Sequence, residues 1–345
     1  PDPIDIIEEY GADALRFTMI ALTPVGQDVQ FSAKKTALGR NFANKIWNAA
    51  RFLTKNLAGY DAAADMAEPD VTDRWILSRL DRATAAATRA FEENRFSDSA
   101  WILYDFMWKE YCDWYLEFAK TRFYGEDAAA RARAQETGLT VLRRALALLH
   151  PLFPFLTEAV GEFLPGAEGL LITGDWPAPA GGEDEDAETE IGVIQEAVTA
   201  LRNLRAEMNV PPGKKVTVVV RAGGRPAEVL QAGRRFLESL ARVEELTVDA
   251  AAAKPPLSAS AVAGSMEIYL SLAGLIDLDA ERRRLEKKRG ELQKALDGVD
   301  RKLANEKFVS RAPDEVVAAE KERRDRWAAD LAAVERHLSD LGGKA

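Results

Sequence analysis

The densest run of side chains able to bind something is Arg40-Asn41-Phe42-Ala43-Asn44-Lys45-Ile46-Trp47-Asn48-Ala49-Ala50-Arg51-Phe52. Phe42, Ile46, Ala49 and Leu53 recur at helical spacing and predict a buried stripe. Asn41, Lys45, Asn48 and Phe52 form a second stripe beside it, flanked by Asn44 and Arg51. Asparagine inside a helix costs about 0.6 kcal/mol relative to alanine, so three cost about 2 kcal/mol and call for a compensating role. Amides, cations and an exposed aromatic can hydrogen-bond base edges of RNA and stack an unpaired base. The same pattern also fits a structural role, with asparagines bridging neighbouring helices and Phe52 in the core.

A second cationic group lies near the end of the chain: Arg282, Arg283, Arg284, Lys287, Lys288, Arg289, Lys294, Arg301 and Lys302. It sits on a helical pattern in which Leu278, Leu285, Leu292 and Val299 repeat every seven residues. The seam predicts a coiled coil. A returning seam, Trp327, Leu331, Val334, Leu338 and Leu341, predicts an antiparallel hairpin turning near 308–313. The returning arm carries more acids than bases. A charge run on such a helix is usually a solvated face, and the asymmetry between the arms equally suits phosphate binding.

No catalytic set is visible. There is no Gly-rich phosphate loop, no Ser/His/Asp grouping and no metal-ligand spacing, so no catalytic or metal residue is assigned. Asp13 and Arg16 are placed to pair at i,i+3. Cys112 and His150 fall among apolar residues and are expected to be packing groups. A single cysteine excludes an internal disulfide and a cysteine-rich zinc site.

The elements that must position these residues are mainly helical. Asp2-Pro3 predicts a helix start and Gly11 its stop. Ser32 is the expected N-cap of the long helix that holds Arg40–Phe52. Asp73 and Ser97 are the expected caps of the next two helices. A third helix runs from Ala128 to about Leu149 and is broken by His150-Pro151-Leu152-Phe153-Pro154. A short helix, Leu156 to Leu164, closes this bundle. The aromatics from Trp101 to Tyr124 follow helical faces and predict core packing. Past the acidic stretch 179–190 the pattern changes. A helix over 191–208, a β-branched strand at 215–220, a helix over 225–240, and short strands at 246–248 and 267–272 predict a small α/β domain. The predicted fold class is therefore mainly α: a helical bundle (36–178) behind an opening segment (1–35), the acidic linker (179–190), the α/β domain (191–273) and a coiled-coil arm (274–345).

The chain has 345 residues, enough for two or three domains, and its 47% hydrophobic content is that of a globular protein. No apolar run is long enough to span a membrane and no signal peptide is visible, so a cytoplasmic location is expected. A net charge of −10 argues against a general nucleic-acid binder, though not against local basic faces.

These residues resemble the class I aminoacyl-tRNA synthetases. Asp2 to Phe17 resembles the segment following their KMSKS loop, and Arg40 to Phe52 the first helix of the anticodon-binding bundle in the valyl, isoleucyl and leucyl group. His150 to Glu158 is similar to that bundle's closing motif. Gly26-Gln27-Asp28, Arg202-Asn203-Leu204-Arg205-Ala206-Glu207-Met208-Asn209-Val210-Pro211-Pro212, and the basic hairpin with Phe308-Val309 and Ala312-Pro313 at its tip favour the valyl family. The resemblance implies anticodon contacts by Asn44, Lys45, Asn48, Arg51 and Phe52, with Phe52 stacking a base. It implies that the hairpin clasps the tRNA corner through Arg282 to Lys302. It further implies a monomeric enzyme that joins valine to tRNA(Val) with ATP and Mg, and edits threonyl-tRNA. With neither the HIGH nor the KMSKS signature, this chain is expected to bind tRNA without catalysing and to need no cofactor itself. The alternatives are an isoleucyl or leucyl synthetase, or a coiled-coil interaction protein.

Overall fold

Asp2 accepts the Ile4 amide at 2.8 Å, so α1 (Pro3–Tyr10) begins where the Asp-Pro pair predicts. Gly11, at φ +93°, ends α1 by donating to Ile7 and leads directly into α2 (Ala12–Ala21). The computed structural model describes residues 2–23, 32–166, 169–275, 278–305 and 313–342. The expectations for Gly26-Gln27-Asp28 and for the hairpin tip at 308–312 lie outside these residues.

The chain divides into two units, Pro1–Ile191 and Gly192–Ala345. The first is a helical bundle. Its long helix α3 (Ala37–Asn56) follows a 3-10 turn, Ala33–Thr36, so Ser32 precedes that turn and does not cap α3 directly. The cap of α4 (Val71–Glu92) is Asp70, not Asp73. Asp73 occupies the third helical position and completes a capping box with Asp70. Similarly, α5 (Phe96–Asp105) starts ahead of Ser97, whose hydroxyl donates to Ala21 O at 2.8 Å. This satisfies a carbonyl that the end of α2 leaves without a helical partner.

From α5 the rod continues through a π-helical stretch, Phe106–Tyr115, into α6 (Leu116–Phe123). Aromatic side chains from this rod fill the core as predicted. Phe17, Phe42, Tyr104 and Phe153 cluster with ring centroids 4.7–5.4 Å apart along the contacts Phe17–Phe42, Phe17–Phe153, Phe42–Tyr104 and Phe42–Phe153. Tyr111 and Tyr115 are fully buried, and their hydroxyls donate to Gly138 O and Asp73 Oδ1 at 3.0 and 3.2 Å. Helix α7 (Ala128–Leu149) ends at the proline motif, after which α8 runs Pro154–Gly161.

The acidic stretch is not a loose connector. Asp81 accepts the backbone amides of Ala180 and Gly182 at 3.0 and 2.8 Å, and Ser78 accepts that of Asp184 at 2.9 Å. Residues 185–190 are already inside α9 (Glu185–Glu207), where Glu188 bonds Arg79 and Arg82 at 3.0 and 2.7 Å.

In the second unit, β1 (Val216–Arg221) is central. It pairs in parallel with β2 (Val243–Asp249) through a crossover containing α10 (Gly224–Ala232) and α11 (Arg234–Ala241). On its other side it pairs antiparallel with β4 (Met266–Ser271), which in turn pairs with β3 (Ser258–Ala263). The sheet order is β2-β1-β4-β3. Arg205 shapes the loop before β1 by donating to the carbonyls of Pro211, Pro212 and Lys214 at 2.8–3.3 Å. Helices α12 (Leu278–Leu303) and α13 (Asp314–Gly342) pack on each other as the predicted hairpin, with Leu285, Val299, Leu331 and Val334 buried along the seam.

Candidate nucleic-acid interface

Helix α3 is fixed by an unusually close crossing. A Cβ on Gly39 would lie 2.3 Å from Ala14 O, so only glycine lets α2 and α3 touch backbone to backbone there. Phe42, Ile46, Ala49, Ala50 and Leu53 are buried beneath the helix. What remains outward is a ridge of exposed Asn41, Asn44, Asn48 and Arg51. Arg51 donates to Asn48 Oδ1 at 3.3 Å, within the same helix. Among the described residues Asn44 and Asn48 bond no neighbouring helix, so the bridging role that the pattern also allowed is not what the structure shows.

On one side of the ridge is a cleft of about 180 Å³ lined by Lys45, Asn48, Ala49, Phe52, Cys112, Leu116, Glu117 and Lys120. Phe52 is half-buried, not a core residue, and its ring centroid lies 6.1 Å from that of Phe123. Lys120 Nζ is 5.5 Å from the centre of the Phe52 ring and 2.5 Å from Glu117 Oε1. Lys45 Nζ is ion-paired with Asp113 and stands 5.1 Å over the Trp108 ring. Both lysines of the cleft therefore carry a carboxylate and an aromatic face as neighbours.

On the other side, Trp47, Ala50, Arg51, Thr54, Lys55, Val160 and Phe163 line an apolar cleft of about 250 Å³. Trp47 and Phe163 meet edge to face at 6.2 Å. The five residues singled out on α3 thus do not share one pocket. Lys45, Asn48 and Phe52 line the first cleft, Arg51 the second, and Asn44 stands on the ridge. Trp108, Asp113, Glu117 and Lys120 come from the π-helical stretch and α6, more than fifty residues away, and sequence reading missed them. The only local signal was the i,i+3 spacing of Glu117 and Lys120, hidden in a run dominated by core aromatics.

Along α12 the nine cations from Arg282 to Lys302 are all exposed. At roughly 100° per residue, Arg283, Lys287, Lys294 and Arg301 fall on one line facing away from the Leu285–Val299 seam. Arg284 donates to Glu207 O at 2.7 Å and so ties the hairpin to the end of α9, while Lys302 pairs with Glu320 of α13 at 3.5 Å within the hairpin. Among the described residues no acid pairs with Arg283, Lys288, Arg289 or Lys294.

The other chemically capable groups are structural. Asp13 does not pair with Arg16. It caps α8 by accepting the Leu156 and Phe155 amides at 2.6 and 3.4 Å, while Arg16 donates to Pro151 O at 2.9 Å. His150 is not a purely apolar packing group, since its Nδ1 lies 2.8 Å from Thr157 Oγ1. Cys112 is buried, and burial pushes its thiol up to about 12. Among the described residues no group of three or more His, Cys, Asp or Glu side chains is placed to hold a metal ion. Among them, too, no helix is long and apolar enough to cross a membrane.

Two family models match the chain. One, the anticodon-binding domain of tRNA ligase, matches residues 73–220, and α3 lies just ahead of it. The other, the valyl tRNA synthetase tRNA binding arm, matches residues 277–342 and so coincides with the hairpin. The chain is 41% identical over 347 residues to a valine–tRNA ligase of Syntrophotalea carbinolica, covering 99% of this chain and 38% of that protein. It is 39% identical over 344 residues to a valine–tRNA ligase of Enterococcus faecalis, covering 99% and 39%. A valine–tRNA ligase of Geobacter sulfurreducens is 39% identical over 330 residues, covering 93% and 37%. The chain spans about two fifths of the length of these relatives.

Proposed function

We propose that this chain, 39–41% identical to valine–tRNA ligases over about two fifths of their length, is the part of such an enzyme that grips tRNA(Val). The bundle holds the anticodon loop along α3, with Asn44, Lys45, Asn48, Arg51 and Phe52 at the contact. The hairpin holds the tRNA corner through the outward cations of α12. The observation that carries this reading is the α3 ridge. Its asparagines face solvent rather than other helices, beside a cleft floored by a half-buried aromatic ring. Exposed amides above a stacking surface suit unpaired bases, which offer both an edge and a face.

The whole enzyme would work as a monomer in the cytoplasm, joining valine to its tRNA through valyl-adenylate with ATP and Mg. It would also hydrolyse threonyl-tRNA made in error, because a pocket that accepts valine cannot strongly reject an isosteric hydroxyl. No residue described here is assigned to ATP, Mg or valine. The chain alone is expected to give no ATP–pyrophosphate exchange.

Filter binding of the 345-residue chain to valine tRNA transcripts tests the reading. Phe52→Ala should weaken binding by about 1–3 kcal/mol, the usual worth of one base stacked on an aromatic. Lys45→Ala should also weaken it. An isoleucine transcript should bind worse than the valine one. Affinities within about twofold of wild type for both variants would remove the anticodon assignment.

A further inference from the structure

The motif from Arg202 to Pro212 has no part in the anticodon or tRNA-corner contacts, yet the fold gives it a definite place. It forms the end of α9 and the loop leading to β1. Asn209, at φ +50°, turns the chain in the left-handed region, which asparagine tolerates better than most residues. The amides of Met208, Asn209 and Val210 then return to the carbonyls of Leu204, Ala206 and Arg205 at 3.0, 3.2 and 2.8 Å. Arg205 braces the loop beyond by holding three of its carbonyls. The helix end is thereby fixed. The Glu207 carbonyl takes no part in this capping and is met from outside the motif.

Both helices of the hairpin come to that one residue. Arg284 of α12 donates to Glu207 O at 2.7 Å. The buried His337 of α13 has its Nε2 3.3 Å from Glu207 Oε2. The C-terminal end of a helix carries partial negative charge, which favours cationic side chains there. Arg284 lies near the start of α12 and His337 near the end of α13, so both contacts fall at the root of the hairpin. The root controls everything further out. At 1.5 Å per residue, Lys294 and Arg301 lie about 15 and 26 Å beyond Arg284 along α12. A tilt of about 10° at the root would carry Arg301 sideways by about 4 Å, more than a hydrogen bond to a phosphate tolerates.

We propose that Glu207 is a positioning residue, which fixes both helices of the hairpin to the end of α9 and so aims the cation stripe of α12 at the RNA. This rests on the reading that the hairpin meets the tRNA corner. Packing of α13 on β3 brings the hairpin to the domain without setting its direction, because apolar burial is non-directional. The bonds to Glu207 set the angle. The Glu207 side chain is 49% exposed, so losing it should leave the domain folded while widening the range of directions the arm takes. Only the aligned fraction then binds at full strength, and the apparent Kd rises in inverse proportion to that fraction.

The test uses the full chain. Spin labels on Thr247→Cys and Ala304→Cys, both exposed and both in the second unit, report the direction of the arm when the buried Cys112 is changed to alanine. Glu207→Ala keeps the carbonyl for Arg284 and removes only the tie to α13. Glu207→Ala and His337→Leu should each broaden the label distance distribution, and together no more than either alone, as two halves of one contact do. Glu207→Gln retains an acceptor for His337 and should stay narrow. Without labels, binding of a valine tRNA transcript should weaken about fivefold in Glu207→Ala, the scale of one half-exposed pair, and by less than about twofold in Glu207→Gln. Urea unfolding of Glu207→Ala should match wild type. A distribution in Glu207→Ala as narrow as that of wild type overturns the proposal and leaves the RNA-binding reading intact. So does a broadened arm whose tRNA affinity is unchanged, or an equal loss in the alanine and glutamine variants. A wild type that fails to bind the transcript at low salt overturns both.

Discussion

Arg122 forks onto Asp73, its Nη2 2.9 Å from Oδ1 and its Nη1 bonded to Oδ2, at a point where Asp73 is fully buried. Nη2 also donates to Thr72 Oγ1 at 3.0 Å, and the Asp70 amide donates to Asp73 Oδ2 at 3.2 Å. The pair thus locks α6 to the first turn of α4. Removing one partner leaves a buried charge without compensation, which typically costs about 3–5 kcal/mol. Arg122→Met should lower the unfolding free energy by that amount in urea titration. Arg122→Lys should recover only part of it, because an ammonium cannot make the fork. A loss below about 1 kcal/mol for Arg122→Met would mean that the fork contributes little.

Acid should loosen the segment held on α4. Burial alone would raise the Glu188 carboxyl, but hydrogen bonds from Ser78, Arg82 and Arg79 outweigh it and hold it below its ordinary value of 4.5. Asp81 is lowered in the same way, with the amides of Ala180 and Gly182 and the Arg144 guanidinium overcoming burial. For a carboxyl whose folded pKa is depressed, stabilisation is complete above the unfolded value and disappears as pH falls through the folded one. Thermal midpoints should therefore drop below about pH 4.5, and less steeply in Glu188→Gln than in wild type. Burial raises the Asp13 carboxyl, which acts in the opposite sense, so the difference between the two proteins carries the test. Parallel curves would clear Glu188 of the effect.

Cys112 should be inert in the folded protein. Each unit of raised pKa reduces the thiolate about tenfold, and the thiolate is the reactive form. With its thiol near 12, Cys112 should react with Ellman's reagent at pH 8 at least about a hundredfold more slowly than in urea. Equal rates would show that the cleft wall opens readily around it.

The stripe on α12 should reveal itself through salt. Each phosphate contact contributes about 0.7–0.9 to the slope of log affinity against log salt. Replacing Arg283, Lys287 and Lys294 together by alanine should flatten the slope of tRNA binding by about 2–3 units. It should leave unfolding almost unchanged, because all three side chains are exposed. An unaltered slope would place the RNA elsewhere.

Much of this was readable from the chain because it depends on periodicity. The buried face of α3, the hairpin seam and the stop of α1 at Gly11 all follow from local spacing or a single glycine. The cap positions were misjudged where two candidates stood close together, as with Asp70 and Asp73, since which one caps is settled by backbone angles. Strand β3 went unseen because Ser258-Ala259-Ser260-Ala261 has little strand preference and is held by its pairing with β4. The expected single helix over 225–240 is interrupted at Gly233, where a Cβ would come within 2.8 Å of Ile194 Cδ1. That constraint comes from across the domain. Half of the cleft beside Phe52 was hidden for the same reason, its other wall being supplied by a distant segment.

The π-helical stretch from Phe106 to Tyr115 changes how that wall responds to a lost residue. Its bonds reach five residues back instead of four, so each turn holds more than the usual number of side chains. Trp108, Cys112 and Asp113 take their directions from this wider winding. Deleting one residue there would invite the ordinary winding to return. The tighter winding would take up the lost residue, so Asp113 and the side chains beyond the deletion would keep nearly their present directions. The cleft wall therefore has slack in its length at this point, where an ordinary helix would turn everything beyond a lost residue by about 100°.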